Sequence, residues 1–456
     1  MSTQDHEQII FSKWLKSHEI VDSDAFAQTG GIVWLKNGVL IKKYFSELVS
    51  RIFTESGFTQ VELPFFIPQD IYTIQPQHFE GLFPLTYRVI SFDGQTSSFL
   101  RTTSETPFTH LFKGWLNQEQ LPLKFFQVIC VFRHEDSNRL KPLLRSREIN
   151  PFIESYSAVA TDEDAQLQVL SEINIYRKVL GDLGIPYLLN KRPLFDTFPE
   201  AKSTNAFDVI LPDGQVFQIA TVHHLGDSFG RAFNVKEKEK SYIFQTSTGI
   251  SGRAIGCALE IHRNKDDLIL PFSVSPRKFN IRNSNHQESK ELCSIKQLIV
   301  GTGISQSDCI NFSIKENQES WFQSGGCFDI LLDDKYAVIT SRSGEAFKIK
   351  KSEIHFGIEQ AIKQYSDWLL SRADILMNNY ICNISMNNAI EKGFKGIIQC
   401  PHCGEEICML KIKDLLGNHG QVLGTTTDIK QIGSCEFCNK PALVTIRIAL
   451  SRIDYH

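Results

Sequence analysis

Two close pairs of cysteines near the end of the chain set the strictest condition on how it folds. Cys400-Pro401-His402-Cys403 is followed by Cys408 and then, 27 residues later, by Cys435-Glu436-Phe437-Cys438. Five of the eleven cysteines therefore lie in the last 57 residues. Two short-spaced thiolate pairs suit a tetrahedral Zn2+ with Zn–S distances of roughly 2.3 Å. Four protein ligands leave no open coordination position, so such a site is structural. Cys400, Cys403, Cys408, Cys435 and Cys438 compete for four places. Spacing alone leaves open whether Cys400 or Cys408 stands outside, and ordinary reduced thiols are the competing account.

The rest of the chain makes disulfides the wrong reading of those cysteines. No apolar run approaches the roughly 18 residues that span a bilayer. The first seven residues carry no basic segment leading into an apolar one, so a cytoplasmic protein with no membrane partner is expected. With 456 residues, about three domains are expected at ~150 residues each. The net charge of −4 rules out a general polyanion-binding surface, so nucleic-acid or phosphate contact must come from local patches.

Hydrophobic spacing predicts helices over 7–18, 37–56, 163–184 and 352–380, and strands over 61–63 and 124–133. The helix over 163–184 carries Leu167, Leu170, Ile173, Leu180 and Leu183. Residues 207–211 and 216–220 flank Pro212-Asp213-Gly214, which is explicit hairpin chemistry and argues for an antiparallel sheet. The segment 271–288, rich in Pro, Ser, Asn and Arg, reads as a linker, and Gly301-Thr302-Gly303 reads as a turn. The expected division is 1–275, 276–380 and 381–456.

Positive charge concentrates where the strand over 124–133 ends. Arg133-His134-Glu135 precedes Arg139, Lys141, Arg145 and Arg147, four basic residues within nine. Guanidinium forks match phosphate oxygens, so a triphosphate clamp and a solvated strand-end rim are the two readings. Gly249-Ile250-Ser251-Gly252-Arg253 opens an apolar helix, where backbone and dipole favour an anion, although an ordinary loop would look the same.

In this order the two segments resemble motifs 2 and 3 of class II aminoacyl-tRNA synthetases. The similarity to prolyl-tRNA synthetases of the archaeal and eukaryotic-like type extends further. Arg101-Thr102-Thr103-Ser104-Glu105-Thr106 resembles their Arg-Pro-Thr-Ser-Glu-Thr loop. Leu121–Arg133, Ile185-Pro186-Tyr187, Lys191-Arg192-Pro193, Ala206–Gly214, Gln218–Gly226 and Leu268–Pro271 match as well. The likeness is dense over 1–275, thin over 276–380 and clear over 381–456.

The resemblance implies an α+β fold: a class II antiparallel-sheet catalytic domain (1–275), a diverged α/β anticodon-binding-like domain (276–380) and a small C-terminal zinc domain (381–456). It implies Arg133 and Arg253 as catalytic, with Arg133, Glu135, Arg145, Gln218 and Arg253 at ATP. It implies Thr103, Glu105, Glu154, Tyr156, Thr221 and His223 around the amino acid, and Pro64 at a homodimer interface. ATP, Mg2+ and structural Zn2+ are the implied cofactors; proline or an analogue and tRNA are the implied substrates. The family's zinc pattern maps onto Cys403, Cys408, Cys435 and Cys438.

Departures cluster in the amino-acid pocket. Tyr156 replaces a histidine, Thr248 an aromatic residue before the motif 3 glycine, His134 an aromatic residue, and Lys141 an arginine. The middle region keeps only Trp321 and Gly325 of a Trp-Glu-Leu-Lys-Gly element, and His456 follows the family's terminal Tyr. Two further readings follow: a paralogue activating a different or non-proteinogenic amino acid, and a catalytically silent tRNA-binding relative. Retention of Arg133, Glu135, Arg145 and Arg253 argues against the silent relative.

Overall fold

The computed structural model describes residues 3–450 apart from 96, 117–119, 238–240, 265–266, 284–309, 312–316, 418–419 and 430–432. The expected turn at 301–303, part of the expected linker and the terminal Tyr455-His456 lie outside the described residues. Among those described, no helix is long and apolar enough to cross a membrane.

An eleven-stranded sheet organises the chain. From one edge its strands are Ile381–Cys382, Gly396–His402, Val444–Leu450, Gln421–Thr426, Leu188–Lys191, Ser203–Ile210, Val216–Gly226, Phe244–Ser251, Glu148–Val159, Leu123–Phe132 and Thr59–Gln60. All neighbours pair antiparallel except at the two outer edges, where the two-residue strands run parallel to their partners. The predicted hairpin is present: Asp213 Oδ1 accepts the Gln215 N–H at 2.9 Å, and Gly214 supplies the required φ of +81°.

The sheet has two buried faces. On one, helices Lys36–Glu55, Asp162–Asp182 and Arg253–His262 pack over Ile153, Phe207, Val222 and Ile250. On the other, helix Glu105–Trp115 covers Leu123, Phe125, Tyr156, Ala158 and Leu225. Phe108 stacks on Tyr156 with ring centroids 4.3 Å apart, an arrangement worth ~0.5–1.5 kcal/mol beyond area burial. A five-stranded sheet, Ile310–Asn311, Phe279–Asn283, Phe328–Leu332, Tyr336–Ser341 and Ala346–Lys350, packs under helix Ile354–Asn378 around its own core.

Three expectations change on contact with tertiary structure. Residues 61–63 form no strand, because beyond the Val61 N–H bond to the Phe126 carbonyl side chains replace the ladder: Leu63 N–H donates to Gln127 Oε1, and the Arg101 guanidinium takes the Leu63 and Pro64 carbonyls. The linker reading ends at Phe279, where a strand of the second sheet begins. Helix Asp162–Asp182 buries Ile173 and Leu180 as expected, but Leu167 and Leu170 face outward. Its inward face instead carries Gln168 and Glu172.

Glu172 lies beneath the sheet, accepting from Ser157, Gln168 and Thr246 on Oε1, while its buried Oε2 has no partner. Burial raises its pKa to about 7 from 4.5. The folded state therefore holds a proton that the unfolded chain releases. This contribution is fully present below pH ~4.5 and is lost as the pH rises through about 7, to the order of 3 kcal/mol at most. In Glu172→Gln, which mimics the protonated acid, thermal melts between pH 4.5 and 7.5 should show a flatter decline than in the parent chain. A parallel decline would refute the assignment.

Candidate active site

The face of the large sheet that packs against helix Glu105–Trp115 also holds the predicted polar residues. Gln218, Thr221 and His223 cannot share one face of a regular strand, whose side chains alternate with period two. A bulge reconciles them. Phe207 pairs with Ala220 and Asp208 with Gln218, leaving Ile219 as the extra residue. Phe217, Ile219, Ala220 and Val222 thus all join the helix-side core, and Gln218, Thr221 and His223 fall in phase on the opposite face.

Glu154 and Tyr156 stand on this same face of the strand Glu148–Val159, which lies beyond the intervening strand Phe244–Ser251. Both are buried, at 1% exposure each. Glu154 accepts from Gln127 Nε2 at 2.7 Å, Tyr156 OH at 2.8 Å and the Ser104 hydroxyl. The Tyr156 hydroxyl in turn accepts the Ser104 N–H at 2.9 Å. Tyr156 therefore splints the 101–105 loop from behind, its hydroxyl engaged by protein atoms. Burial raises the Glu154 pKa, and the charge on Glu105 adds to the rise.

Glu105 is also buried. Thr103 Oγ1 donates to its Oε2 at 2.6 Å, and His78 Nε2 stands 3.8 Å away. Burial raises its pKa, while Thr103, Ser247 and the charge of Arg133 favour the carboxylate. His223 bonds Thr204 through Nδ1 at 2.9 Å, and burial holds its pKa down to about 3, with His78 and Arg133 adding repulsion. His78, at about 4 through burial, is neutral too. Phe198 lies against both imidazoles, with ring centroids 5.3 and 4.6 Å away, and Phe229 packs on His78. The pocket thus has one carboxylate, one guanidinium and a wall of uncharged rings.

Arg133 donates to the Thr102 carbonyl at 3.3 Å and lies over the Phe152 ring. Arg145 reaches Glu135 Oε2 at 3.5 Å, both side chains buried. Arg253, at the start of its helix, donates to the Leu144 carbonyl at 2.7 Å and the Gln218 carbonyl at 2.8 Å. Burial lowers its pKa to about 10, with repulsion from Arg145 and Arg133 contributing. Three guanidinium groups that repel one another form a site poised for a polyanion. Of the remaining basic residues, Lys141 turns to Gln215 Oε1 at 2.6 Å, and Arg147 takes the Glu135 and Thr29 carbonyls.

Thr248 belongs to the other face. It bonds Ser155 at 2.8 Å and Tyr176 at 2.7 Å beneath the sheet, so it is not a pocket substitution. Ser247, one residue earlier, is the side chain that reaches Glu105. His78, Ser104, Gln127, Phe198 and Ser247 are pocket residues with no local sequence signal, since packing from distant segments brings them in.

In the C-terminal unit the side chains of His402, Cys403, Cys408 and Cys435 offer ligand atoms all within 4.8 Å of one another, and Cys438 interacts with the three thiols. Cys400 turns away: its thiol donates to the Ile384 carbonyl at 3.2 Å within the apolar core of that unit. His402 Nδ1 accepts the Gly404 N–H at 3.0 Å, and its buried Nε2 has no partner.

Residues 87–262, which hold both arginine segments and the carboxylate pocket, match the tRNA synthetase class II core domain (G, H, P, S and T). Sheet and site together define a class II synthetase core. A proline–tRNA ligase of Saccharolobus islandicus is 31% identical over 474 aligned residues, covering 96% of this chain and 97% of the relative. That of Methanocaldococcus jannaschii is 39% identical over 279 residues, 58% of this chain and 61% of the relative. The chain belongs to the proline–tRNA ligase family. Among solved structures, a Giardia lamblia prolyl-tRNA synthetase in complex with prolyl-adenylate has the same fold, with a TM-score of 0.82 at 24% identity, over 97% of this chain and 98% of that one. A Cryptosporidium parvum prolyl-tRNA synthetase complexed with L-proline and AMP superposes with a TM-score of 0.80 at 22% identity, over 97% and 94%.

Because the Tyr156 hydroxyl joins Glu154 to the Ser104 backbone, Tyr156→Phe should lower stability by about 1–3 kcal/mol through the unmet buried partners. Denaturant unfolding measures this, and a neutral effect would show that Glu154 is satisfied without it.

Proposed function

We propose that this chain condenses proline with ATP to prolyl-adenylate and transfers the prolyl group to tRNA. The observation that carries this reading is the placement of Glu105 and Arg133. A buried acceptor and a guanidinium face one pocket, and Arg133 leads directly into the cluster with Arg145 and Arg253. An amino-acid zwitterion fits between the two charges, its ammonium at Glu105 with Thr103, its carboxylate toward Arg133. The neutral rings of His78, His223 and Phe198, beside Thr221, suit a compact apolar ring, and a cationic or acidic side chain there would be buried without a counter-charge. Glu154 and Tyr156 act here by holding the loop that carries Thr103 and Glu105.

In the first step a carboxylate oxygen attacks the α-phosphorus in line. A new P–O bond forms as the bond to the β-phosphate breaks, and pyrophosphate leaves with its electron pair. Arg133 offsets charge at the α-phosphoryl, while Arg145 and Arg253 hold the tail, with Glu135 and Gln218 completing the nucleotide side. Mg2+, when bound together with ATP, would supply further charge neutralisation. A terminal tRNA hydroxyl then attacks the activated carbonyl, and AMP departs. Phe65 and Phe66, which follow Pro64 directly in the chain, leave their rings exposed, and that supports a homodimer contact there. The chain's membership of the proline–tRNA ligase family supports a cytoplasmic enzyme.

Pyrophosphate exchange run across the standard amino acids and proline analogues tests the reading. Proline should support exchange, and Arg253→Ala should reduce it by at least 100-fold, on the order expected when charge stabilisation is removed. Exchange with only another amino acid would establish the paralogue reading instead.

For the metal, the thiols of Cys403, Cys408, Cys435 and Cys438 are the donor set that fits Zn2+, and their convergence supports a tetrahedral site. Elemental analysis should find one zinc per chain in the parent and in Cys400→Ser, and less than a tenth of that in Cys403→Ser. Loss of metal in Cys400→Ser would overturn the ligand choice.

A further inference from the structure

We propose that Arg192 is a positioning residue that makes nucleotide activation depend on the seating of the C-terminal unit. It lies at the seam of the large sheet, just past the strand Leu188–Lys191, which meets the C-terminal strand Gln421–Thr426 at the single pair Thr425–Lys191. The residue is 4% exposed and its guanidinium fork is fully engaged. Its two Nη atoms grip Asp208 at 3.0 and 2.6 Å, one also donates to the Leu423 carbonyl of the C-terminal strand, and the other to Gln218 Oε1 at 2.9 Å. Nε faces Asp196 at 3.6 Å.

One rigid planar group therefore ties a carbonyl of the C-terminal unit to a side chain at the nucleotide site. Gln218 is also the residue whose own carbonyl receives Arg253. The seam is built for a fixed register. Gly424 has a φ of +127°, and a Cβ there would lie 2.3 Å from the Lys191 carbonyl oxygen. A second tie runs from Arg447 to the Leu189 carbonyl and to Asn190 Oδ1, both at 3.0 Å, while Asn190 donates to Asp208. If the C-terminal strand shifts, the fork loses the Leu423 carbonyl and Gln218 loses its fixed orientation. Lysine cannot substitute, because one ammonium cannot hold Asp208 bidentately and reach both other acceptors. The inference rests on the reading of Gln218 as a nucleotide-side residue.

The test is pyrophosphate exchange at saturating proline, with zinc content and thermal midpoint measured on every variant. Arg192→Lys and Gly424→Ala should each raise KM for ATP roughly tenfold, the scale of one lost charge-assisted hydrogen bond, with kcat within about twofold and zinc retained. Their combination should match the worse single variant, and neither should add to Gln218→Ala. If Gly424→Ala fails to fold, Arg447→Lys perturbs the same seam more mildly and should move KM for ATP in the same direction. A raised KM in Gln218→Ala with no change in Arg192→Lys would overturn the coupling alone. An unchanged KM in Gln218→Ala would overturn the role of Gln218 and the coupling with it. Additive effects of Arg192→Lys and Gly424→Ala would show two independent structural roles and would also overturn it.

Discussion

The buried guanidinium of Arg101 joins the parts on which the pocket depends. It is 0% exposed and donates to the carbonyls of Leu63, Pro64 and Cys130. Its own backbone donates to the Phe65 carbonyl and accepts from Phe132 N–H. Three segments meet there: the stretch ending at Pro64, the loop carrying Thr103 and Glu105, and the strand that delivers Arg133. Removing a charge from water costs several kcal/mol, and carbonyl dipoles offset it only in a closed arrangement. The loop is consequently held from two sides, by Arg101 below and by Tyr156 through Ser104.

That double support explains how the pocket can carry charge in so little space. Glu105 and Glu154 are both buried, and the charge of each opposes ionisation of the other. They are kept apart in role by their partners. Glu154 is saturated by Gln127, Tyr156 and Ser104, whereas Glu105 has Thr103 as its close donor and keeps Arg133 in electrostatic range. The arginines show the converse logic, since their mutual repulsion is relieved only in part by Glu135 and is left for a ligand to complete.

Much of this was legible in sequence wherever local chemistry decides the outcome. The basic run after residue 132, the glycines before Arg253 and the Pro-Asp-Gly hairpin each carry their own signal. What escaped depends on partners remote along the chain. Ile219 bulges because of its pairing with the neighbouring strand, so the phase of Gln218 could not be read from alternation. Thr248 stands one residue from the pocket-facing Ser247 and points to the opposite side. Leu167 and Leu170 fit a helical stripe, but the sheet above offers Ser157 and Thr246, which select Glu172 for the interior. Cys400 and Cys408 are equivalent as spacings and distinct only once Ile384 receives the Cys400 thiol. In the middle unit, Trp321 is retained as packing: Arg277 lies 4.4 Å over its ring, and Gly326 closes against it.

The strand order of the large sheet also bears on how this chain survives in a crowded solution. At one end the last strand is only Thr59–Gln60, too short to recruit another polypeptide. At the other, Leu188–Lys191 would present open hydrogen-bonding groups if the sheet stopped there. The strands from 396 to 450 continue past it and finish in the two-residue Ile381–Cys382. The C-terminal unit thus serves as a cap on a sticky border, and a chain shortened before it would be prone to aggregate as well as to lose its cysteine cluster.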